Sequence, residues 1–295
     1  MDCPVCRKSD LKPYRAGVSR DKLSADNFKI TDSSYGETLS LRQCVSCGYI
    51  FASATNLTDF YSELEDEEYY ATWDSRRRQM EKLLQKIKQW QPKGKLLDIG
   101  AGCGIMLDVA QSAGYESVGI EPSSWMVSKA REKGLTVFEG VLPHPKLPMH
   151  DFDVVCLIDI IEHVNKPVDL LREAWGRLTP DGVGVLVTPN VSSLASRIMG
   201  RRWWHFRIAH VGYFNRDNLK LALEQADLEI ITEMSSPWYF PLSYLLTRGL
   251  KYLPKVLRFT PPEFCKSIIL PLNLYDSFTV FFKRRSTDNL SDRTA

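Results

Sequence analysis

Apolar residues follow two alternating patterns along the chain from about residue 93 onward. Short apolar runs, which predict buried strands, alternate with stretches whose apolar residues recur every three or four positions, which predict helices. The strands are expected near residues 95–99, 117–121, 135–139, 152–158, 183–188, 228–234 and 277–282. This alternation predicts a doubly wound α/β fold, in which helices cover both faces of a seven-stranded, mostly parallel sheet.

The segment before the first of these strands predicts a helix that packs on the sheet. Met80, Leu83, Leu84 and Ile87 recur at helical spacing, and the arginines at positions 76–78 stand at the start of the helix. Either these arginines form a solvated helix face, or one of them binds an anionic group of a cofactor or substrate.

A second segment, residues 235–275, separates the last two predicted strands by about forty residues, where a hairpin would need only a few. Its leucines recur at helical spacing and form an apolar stripe: Leu242, Leu245, Leu246, Leu250 and Leu253. The charges over residues 242–258 are all basic: Arg248, Lys251, Lys255 and Arg258. The segment is either a helical lid over a substrate pocket or a surface that contacts an anionic membrane.

The charge balance argues against a polyanionic partner. Lys and Arg number 38 against 36 Asp and Glu, a formal net charge of +2, whereas nucleic-acid enzymes more often carry a basic stripe. The first residues lack a charged leader with an apolar run, and the sequence contains no stretch of eighteen apolar residues. We therefore expect a cytoplasmic protein, with peripheral contact at the inner face of the membrane as the alternative.

Four of the seven cysteines form two pairs, Cys3 with Cys6 and Cys44 with Cys47, each separated by two residues. Two such pairs are typical of a structural Zn²⁺ site with four thiolate ligands and no open coordination position. Disulfides are the alternative, which the lack of a secretory signal disfavours. Residues 40–43 and 49–51 are expected to form paired strands around the second pair of cysteines.

A glycine-rich loop at residues 96–104 (Leu-Leu-Asp-Ile-Gly-Ala-Gly-Cys-Gly) follows the first strand of the sheet and precedes a predicted helix. Glycines let the backbone turn tightly and approach a nucleotide at the helix N-terminus. The Gly-Lys-Ser/Thr of a triphosphate-binding loop is absent from it. Glu121 ends the second strand, where a carboxylate can accept both hydroxyls of a ribose.

These residues resemble class I S-adenosylmethionine-dependent methyltransferases, which have a Rossmann-like fold. Residues 98–104 resemble that family's first motif, and residues 152–164 resemble its fourth-strand motif in the branch that contains quinone O-methyltransferases. The resemblance implies that S-adenosylmethionine is the cofactor. It implies cofactor-binding roles for Asp98, Gly100, Ala101, Gly102, Glu121, Leu142, Ile158 and Asp159. In this assignment Glu121 binds the ribose, Asp98 lies near the methionine portion, and Leu142 replaces the more common acid beside adenine.

Transfer of a methyl group to an alcohol needs a base, because the pKa of an alcohol lies far above neutral. Histidine is the usual candidate, and His163 and His210 are the expected catalytic residues. His163 follows the fourth strand, and His210 lies in a loop that resembles the family's substrate-facing segment before its sixth helix. For His163 the alternative is a structural histidine that caps local backbone, and His210 is either the base or a group that binds the acceptor.

The expected organisation is a zinc ribbon over residues 1–56, a linker and helix over 57–92, a methyltransferase domain over 93–285 and a disordered tail over 286–295. A zinc ribbon before such a domain resembles bacterial methyltransferases that modify sugars, natural products or surface glycans. The expected function is therefore O-methylation of a small-molecule, sugar or lipid-linked acceptor. The alternatives are an RNA methyltransferase that uses the ribbon as its reader, and a non-enzymatic assembly module that binds the cofactor.

Overall fold

The structure is a computed structural model that describes residues 1–32, 34–52, 57–250, 254 and 259–285. The predicted tail, residues 286–295, lies outside the described residues, as do Leu253, Lys251, Lys255 and Arg258. None of the helices in the described ranges combines the length and apolar character that crossing a membrane requires.

A seven-stranded sheet forms the centre of the fold, as predicted. Its strands are β4 (Lys95–Ile99), β5 (Glu116–Glu121), β6 (Val137–Glu139), β7 (Phe152–Ile158), β8 (Leu178–Pro189), β10 (Leu228–Met234) and β13 (Ser277–Arg284). Their order across the sheet is β10-β13-β8-β7-β4-β5-β6. The last strand, β13, lies between β8 and β10 and runs antiparallel to both. The other five strands, β8, β7, β4, β5 and β6, run parallel to one another.

Helices cover this sheet where the apolar periodicity predicts them. They are α3 (Trp73–Ile87), α4 (Ile105–Ser112), α5 (Ser124–Glu132), α6 (Pro167–Arg177) and α8 (Arg216–Gln225). Helix α3 buries Met80, Leu83, Leu84 and Ile87 as expected. Leu96 of β4 has no exposed surface, and burial of one such side chain contributes about 1.5–3 kcal/mol. The β4 strand therefore anchors the glycine loop that follows it in the middle of the core.

A second, four-stranded sheet contains the N-terminal strands. Its members are β1 (Leu11–Arg15), β2 (Leu41–Cys44), β3 (Ile50–Ala52) and β9 (Gly212–Tyr213), in that order. The predicted pairing around the second cysteine pair is present, because Arg42 lies opposite Phe51. The fourth strand was not predicted: β9 belongs to the main domain and pairs with β3 through Ile50 and Tyr213.

The remaining helices and strands lie outside the two larger sheets. They are α1 (Thr58–Ser62), α2 (Glu67–Ala71), α7 (Leu194–Met199), β11 (Trp238–Pro241), α9 (Leu242–Leu250) and β12 (Ile269–Leu272). Between the last two strands of the main sheet, β11 and β12 thus form a two-stranded sheet of their own, with α9 after β11. The predicted insertion therefore contains both helix and strand, since α9 lies in the chain between the two paired strands β11 and β12.

Candidate active site

A cavity of about 1120 Å³ opens at the carboxyl ends of β4, β5 and β7. Ligands of doubly wound α/β folds bind at this edge of the sheet. Every residue predicted to bind the cofactor or to act in catalysis lies on its wall: Asp98, Gly100, Ala101, Gly102, Glu121, Leu142, Ile158, Asp159, His163 and His210. The structure thus brings the predicted site residues together, and their individual roles remain predictions.

The glycine loop adopts backbone conformations that favour glycine. Gly100 and Gly102 have φ values of +74° and +54°, in the left-handed region. A Cβ atom on Gly100 would lie 2.1 Å from the side chain of Ile160, so a larger residue there would displace the cavity wall. The loop therefore presents bare backbone to the cavity.

Glu121 holds the glycine loop against the second strand. Its two carboxylate oxygens accept hydrogen bonds from the backbone N–H groups of Gly102 and Ser123, both at 2.9 Å. Burial raises the pKa of Glu121 to about 6, although these two hydrogen bonds act in the opposite direction. The carboxylate is thus fixed in place beside the loop, at the position predicted to bind a ribose.

Asp98 is buried at the base of the same loop. Burial, and to a lesser extent the neighbouring Glu121 carboxylate, raise the pKa of Asp98 to about 8. Two buried carboxyl groups that interact electrostatically favour a cationic ligand, because a positive charge replaces the solvation that each loses. This side of the cavity is therefore suited to a cation.

Arg76 is the one member of the 76–78 cluster on the cavity wall. Its guanidinium group lies 4.3 Å from the centre of the Tyr69 ring, and its Nε donates to Thr72 Oγ1. Arg77 instead forms ion pairs with Glu81 and Asp108 on the helix surface. Arg76 is therefore the arginine of this cluster that could bind an anionic group in the cavity. Arg77 belongs to a solvated helix face.

A second group of residues on the cavity wall contains three histidines, His163, His205 and His210. Glu162 and His163 lie in a single 3-10 turn directly after β7, and His210 lies in the loop before β9. The rings of His163 and His210 meet edge to face with their centres 4.8 Å apart. His144 and His150 do not line the cavity, whereas His205 does.

Burial keeps the two predicted catalytic histidines neutral. It lowers the pKa of His163 to about 3, with a further contribution from the positive charge of Arg207. It lowers the pKa of His210 well below the usual value, and His163 and Arg207 add to the effect. Each ring therefore carries one N–H group and one lone pair.

Three further cavity residues escaped sequence reasoning. Tyr61 donates to the carbonyl oxygen of Ala209 and lies 2.7 Å from His163 Nδ1. Arg207 donates to the carbonyl oxygens of Lys29 and Ile30 and faces the histidines. Glu162 was noted only as the neighbour of His163. The signal for Glu162 was its place beside a strand end, whereas nothing local marked Tyr61 or Arg207.

The tryptophans of the same loop differ in position. Trp203 is completely buried and donates from Nε1 to Asp276 at 3.4 Å, so it anchors the loop to the core. Trp204 lines the cavity and is the one of the pair that can stack on a ligand.

The four N-terminal cysteines form a compact cluster. Their sulfur atoms all lie within 4.8 Å of one another, with Cys3 and Cys47 at 3.6 Å and Cys6 and Cys44 at 3.4 Å. These separations exceed the 2.05 Å of a disulfide. They approach the roughly 3.8 Å between thiolates that surround one zinc ion tetrahedrally at about 2.3 Å. The donor set therefore fits Zn²⁺, and the predicted disulfide alternative does not describe this arrangement.

Comparison with known proteins agrees with this geometry. A family model described as a methyltransferase domain matches residues 72–233. The chain is 25% identical over 150 residues to the mitochondrial ubiquinone biosynthesis O-methyltransferase of Saccharomyces cerevisiae, covering 48% of this chain and 46% of that protein. It is 34% identical over 107 residues to the ubiquinone biosynthesis O-methyltransferase of Haemophilus ducreyi, covering 32% and 45%. The chain thus spans about half the length of these relatives.

A solved structure shows the same fold. A chain of the complex between the Haloferax volcanii Trm112 methyltransferase activator and a methyltransferase superposes with a TM-score of 0.53 and 12% identity, covering 79% of this chain and 100% of that chain. The family model covers more than half of the present chain, and its residues include the glycine loop, Glu121 and both predicted catalytic histidines. This chain belongs to the methyltransferase-domain family.

Proposed function

We propose that the chain transfers a methyl group from S-adenosylmethionine to an oxygen atom of a small-molecule, sugar or lipid-linked acceptor. The observation that carries the proposal is the division of one cavity into two walls. The first wall has bare glycine backbone and two buried carboxylates. The second wall has histidine lone pairs.

The first wall suits the cofactor. S-Adenosylmethionine supplies a methyl group on a positively charged sulfonium, and a protein mainly has to align that group with its acceptor. Asp98 and Glu121 provide negative charge near such a cation, and Gly100 and Gly102 let the backbone approach it. Arg76 is the group on this wall that could pair with the methionine carboxylate.

The second wall suits the acceptor. His163 or His210, each with a ring lone pair, accepts the hydrogen bond of the acceptor hydroxyl and takes up its proton as the oxygen is methylated. Trp204 and apolar residues of β11 and α9, including Phe240 and Tyr244, line the same cavity. An acceptor with an aromatic or sugar ring fits such a wall.

Described residues of the insertion, among them Trp238, Leu245 and Leu272, line the cavity, in line with a lid. The insertion also turns large apolar side chains to solvent, and on this exposed face Phe259 and Phe264 are 58% and 65% exposed. We propose that a lipid-linked acceptor approaches along this face and that it contacts an anionic membrane. Co-sedimentation with anionic vesicles, lost on Phe264→Ser substitution, would support this contact, and binding equal to that of neutral vesicles would contradict it.

The cysteine cluster is proposed to hold one structural Zn²⁺ through Cys3, Cys6, Cys44 and Cys47. Four thiolates leave no position for substrate, so the ion would stabilise the N-terminal sheet and take no part in the transfer. Atomic absorption on the purified protein should detect one zinc ion per chain.

The function is tested by transfer of labelled methyl groups. The purified chain and labelled S-adenosylmethionine are incubated with cell extracts separated into lipid, nucleotide-sugar, RNA and protein fractions. We expect label in the lipid or nucleotide-sugar fraction, bound through a base-stable ether. Label confined to RNA would favour the nucleic-acid alternative, and failure of the chain to bind the cofactor would refute the proposal.

A further inference from the structure

Two arginines from different parts of the chain bring positive charge to one corner of the cavity. Arg207 belongs to the loop before β9, and Arg248 belongs to α9. Both side chains line the cavity together with Tyr35 and Tyr244. The guanidinium carbon of Arg248 lies 4.9 Å from the centre of the Tyr244 ring and 5.7 Å from the centre of the Tyr35 ring. We call these four side chains the basic corner.

Arg248 has N–H groups to spare for a ligand. Its Nη2 donates to the carbonyl oxygen of Thr31 at 2.7 Å and lies 3.6 Å from a carboxylate oxygen of Glu68. Its other N–H groups have no hydrogen-bond partner among the described residues. Stacking on tyrosine rings uses the faces of a guanidinium group and leaves its five N–H donors along the edges free. The side chain is only 15% exposed, so few water molecules replace the missing partners.

Arg207 adds a second positive charge to the basic corner. It donates hydrogen bonds to the backbone carbonyl oxygens of Lys29 and Ile30, which carry no net charge. Its charge acts on Tyr35, as the charge of Arg248 does, since both arginines oppose the raised pKa of that phenol. Burial is the main cause of the raised pKa, and it keeps the Tyr35 hydroxyl protonated and able to donate. The corner therefore combines two cations with a hydroxyl donor.

Neutralisation by the acids of the cavity is the competing explanation for these arginines. Glu68 is 59% exposed, so solvent screens its attraction to Arg248. Asp159 and Glu162 interact electrostatically with Arg207. Burial raises the pKa of Asp159 to about 7 and that of Glu162 well above its usual value. Near pH 7 Glu162 is therefore neutral and Asp159 only partly ionised, so the acids do not cancel both positive charges.

We propose that the basic corner binds a phosphoryl group of the acceptor, a step that rests on the proposed function. The edge of a guanidinium group pairs with two phosphoryl oxygens at once. A phosphate monoester carries about two negative charges near pH 7, which matches two arginines. A carboxylate has one negative charge and only two oxygens, so it would leave part of the corner without a partner.

The rest of the cavity suits an acceptor held in this way. Its volume of about 1120 Å³ exceeds the roughly 300–1,000 Å³ of pockets that hold one small molecule, so a second ligand fits beside the cofactor. The charge of Arg207 also lowers the pKa values of His163 and His210, so the corner lies close to the proposed base. A phosphoryl group bound there would tether the acceptor while its hydroxyl reaches a histidine. The acceptor class is therefore a phosphate-linked molecule, either a nucleotide-linked sugar or a phosphorylated lipid.

Phenyl phosphate is the probe that tests the corner. It is titrated calorimetrically into the full chain saturated with S-adenosylhomocysteine, which occupies the cofactor side and Arg76. We expect one site per chain, with benzoate and phenol bound at least about tenfold more weakly. Arg248→Gln should weaken phenyl phosphate binding on the order of 10- to 100-fold, the usual effect of losing hydrogen bonds from a charged group. Arg77→Gln, which alters an arginine outside the cavity, should not change it.

Phenol separates a binding role of Arg248 from a structural one. Phenol has no charge, so its affinity should be the same for Arg248→Gln as for the wild-type chain. A parallel loss of phenol and phenyl phosphate would show that Arg248 only supports the position of α9, which would overturn the proposal. Tyr35→Phe, which keeps the ring and removes one donor, should weaken phenyl phosphate binding severalfold and leave phenol binding unchanged.

Two further outcomes keep this proposal apart from the proposed function. A chain that binds S-adenosylhomocysteine but no phenyl phosphate, or that binds benzoate equally well, would overturn the phosphoryl site and leave the proposed function intact. Binding of phenyl phosphate that depends on Arg248, in a chain that does not bind S-adenosylhomocysteine, would support the site and refute the proposed function.

The charge of the methylated product gives a second, independent measurement. Labelled product from the lipid or nucleotide-sugar fraction should be retained by an anion exchanger at about pH 3, where carboxylates are largely protonated and phosphoryl groups remain charged. Label in the lipid fraction would identify a phosphorylated lipid, and label in the other fraction a nucleotide-linked sugar. A product that is not retained would overturn the proposal.

Discussion

The proposed cofactor wall and the proposed acceptor wall of the cavity are built in different ways. The glycine loop and the two buried acids of the cofactor wall come from one continuous β-α-β stretch, in which β4, the glycine loop, α4 and Glu121 follow within about 25 residues. The acceptor wall combines Tyr61, the end of β7 and the loop before β9, which are far apart in the chain. A site formed by a single stretch of chain depends on local backbone geometry. A site formed by several stretches depends on the tertiary contacts that pack those stretches against one another.

The largest expected effect is the loss of cofactor binding when a residue of the proposed cofactor wall is replaced. Asp98→Ala should abolish detectable binding of S-adenosylmethionine, because the buried carboxylate that faces the cation is lost. Asp108→Ala, which removes only a surface ion pair with Arg77, should change the Kd by less than about twofold. Isothermal titration calorimetry measures both affinities, and normal cofactor binding by Asp98→Ala would refute the assigned wall.

The next largest effect is a loss of methyl-transfer rate, without a loss of cofactor affinity, when a residue of the proposed acceptor wall is replaced. His210→Gln should lower kcat by roughly 10²–10⁴-fold, the usual contribution of a residue that handles the substrate proton. The Kd for S-adenosylmethionine should stay within about twofold, since His210 lies on the other wall. Single-turnover transfer of labelled methyl to the identified acceptor measures the rate, with His144→Gln as the matched substitution. A parallel loss of cofactor affinity would show that the two walls are not independent.

A smaller loss of methyl-transfer rate is expected when the cysteine cluster is disrupted. Cys44→Ser should release zinc and loosen β2 and β3, and β3 pairs with the β9 strand that follows His210. We expect methyl transfer to fall about tenfold while cofactor affinity changes little, because none of the four cysteines lies on the cavity wall. Hydrogen exchange over residues 203–214 should accelerate. Unchanged exchange there, with zinc absent, would count against this connection.

The smallest effect is a pH dependence of cofactor binding. The pKa of Asp98 in the folded chain is about 8, above its usual value, so ionisation of Asp98 costs stability between about pH 4 and 8. A bound cation favours the ionised form, so binding releases a proton below about pH 8. Between pH 7 and pH 8 the affinity should therefore rise about fivefold, and it should level off above pH 8. S-Adenosylhomocysteine, which lacks the sulfonium charge, should show a shallower dependence in the same calorimetric series.

The difference between the walls also explains what the sequence could predict. The glycine loop and the acid at the end of β5 are readable because turn geometry and strand ends leave local signatures. The sheet and its helices are readable for the same reason. The partners of His163 could not be predicted, because Tyr61 and Ala209 are far from it in the chain and share no sequence motif with it. The same holds for β9, a two-residue strand whose partner β3 belongs to the N-terminal sheet.

The pairing of Ile50 with Tyr213 has a consequence for the order in which the protein forms. These residues are about 160 positions apart, so β3 waits for its neighbour until most of the chain has been synthesised. Contacts so distant in sequence form late, after local helices and turns. During synthesis the nucleotide-binding half can therefore mature first. The proposed acceptor wall includes His210, just before β9, so its backbone is complete only when β3 and β9 have paired. The proposed methyl transfer would then begin only after most of the chain has been synthesised.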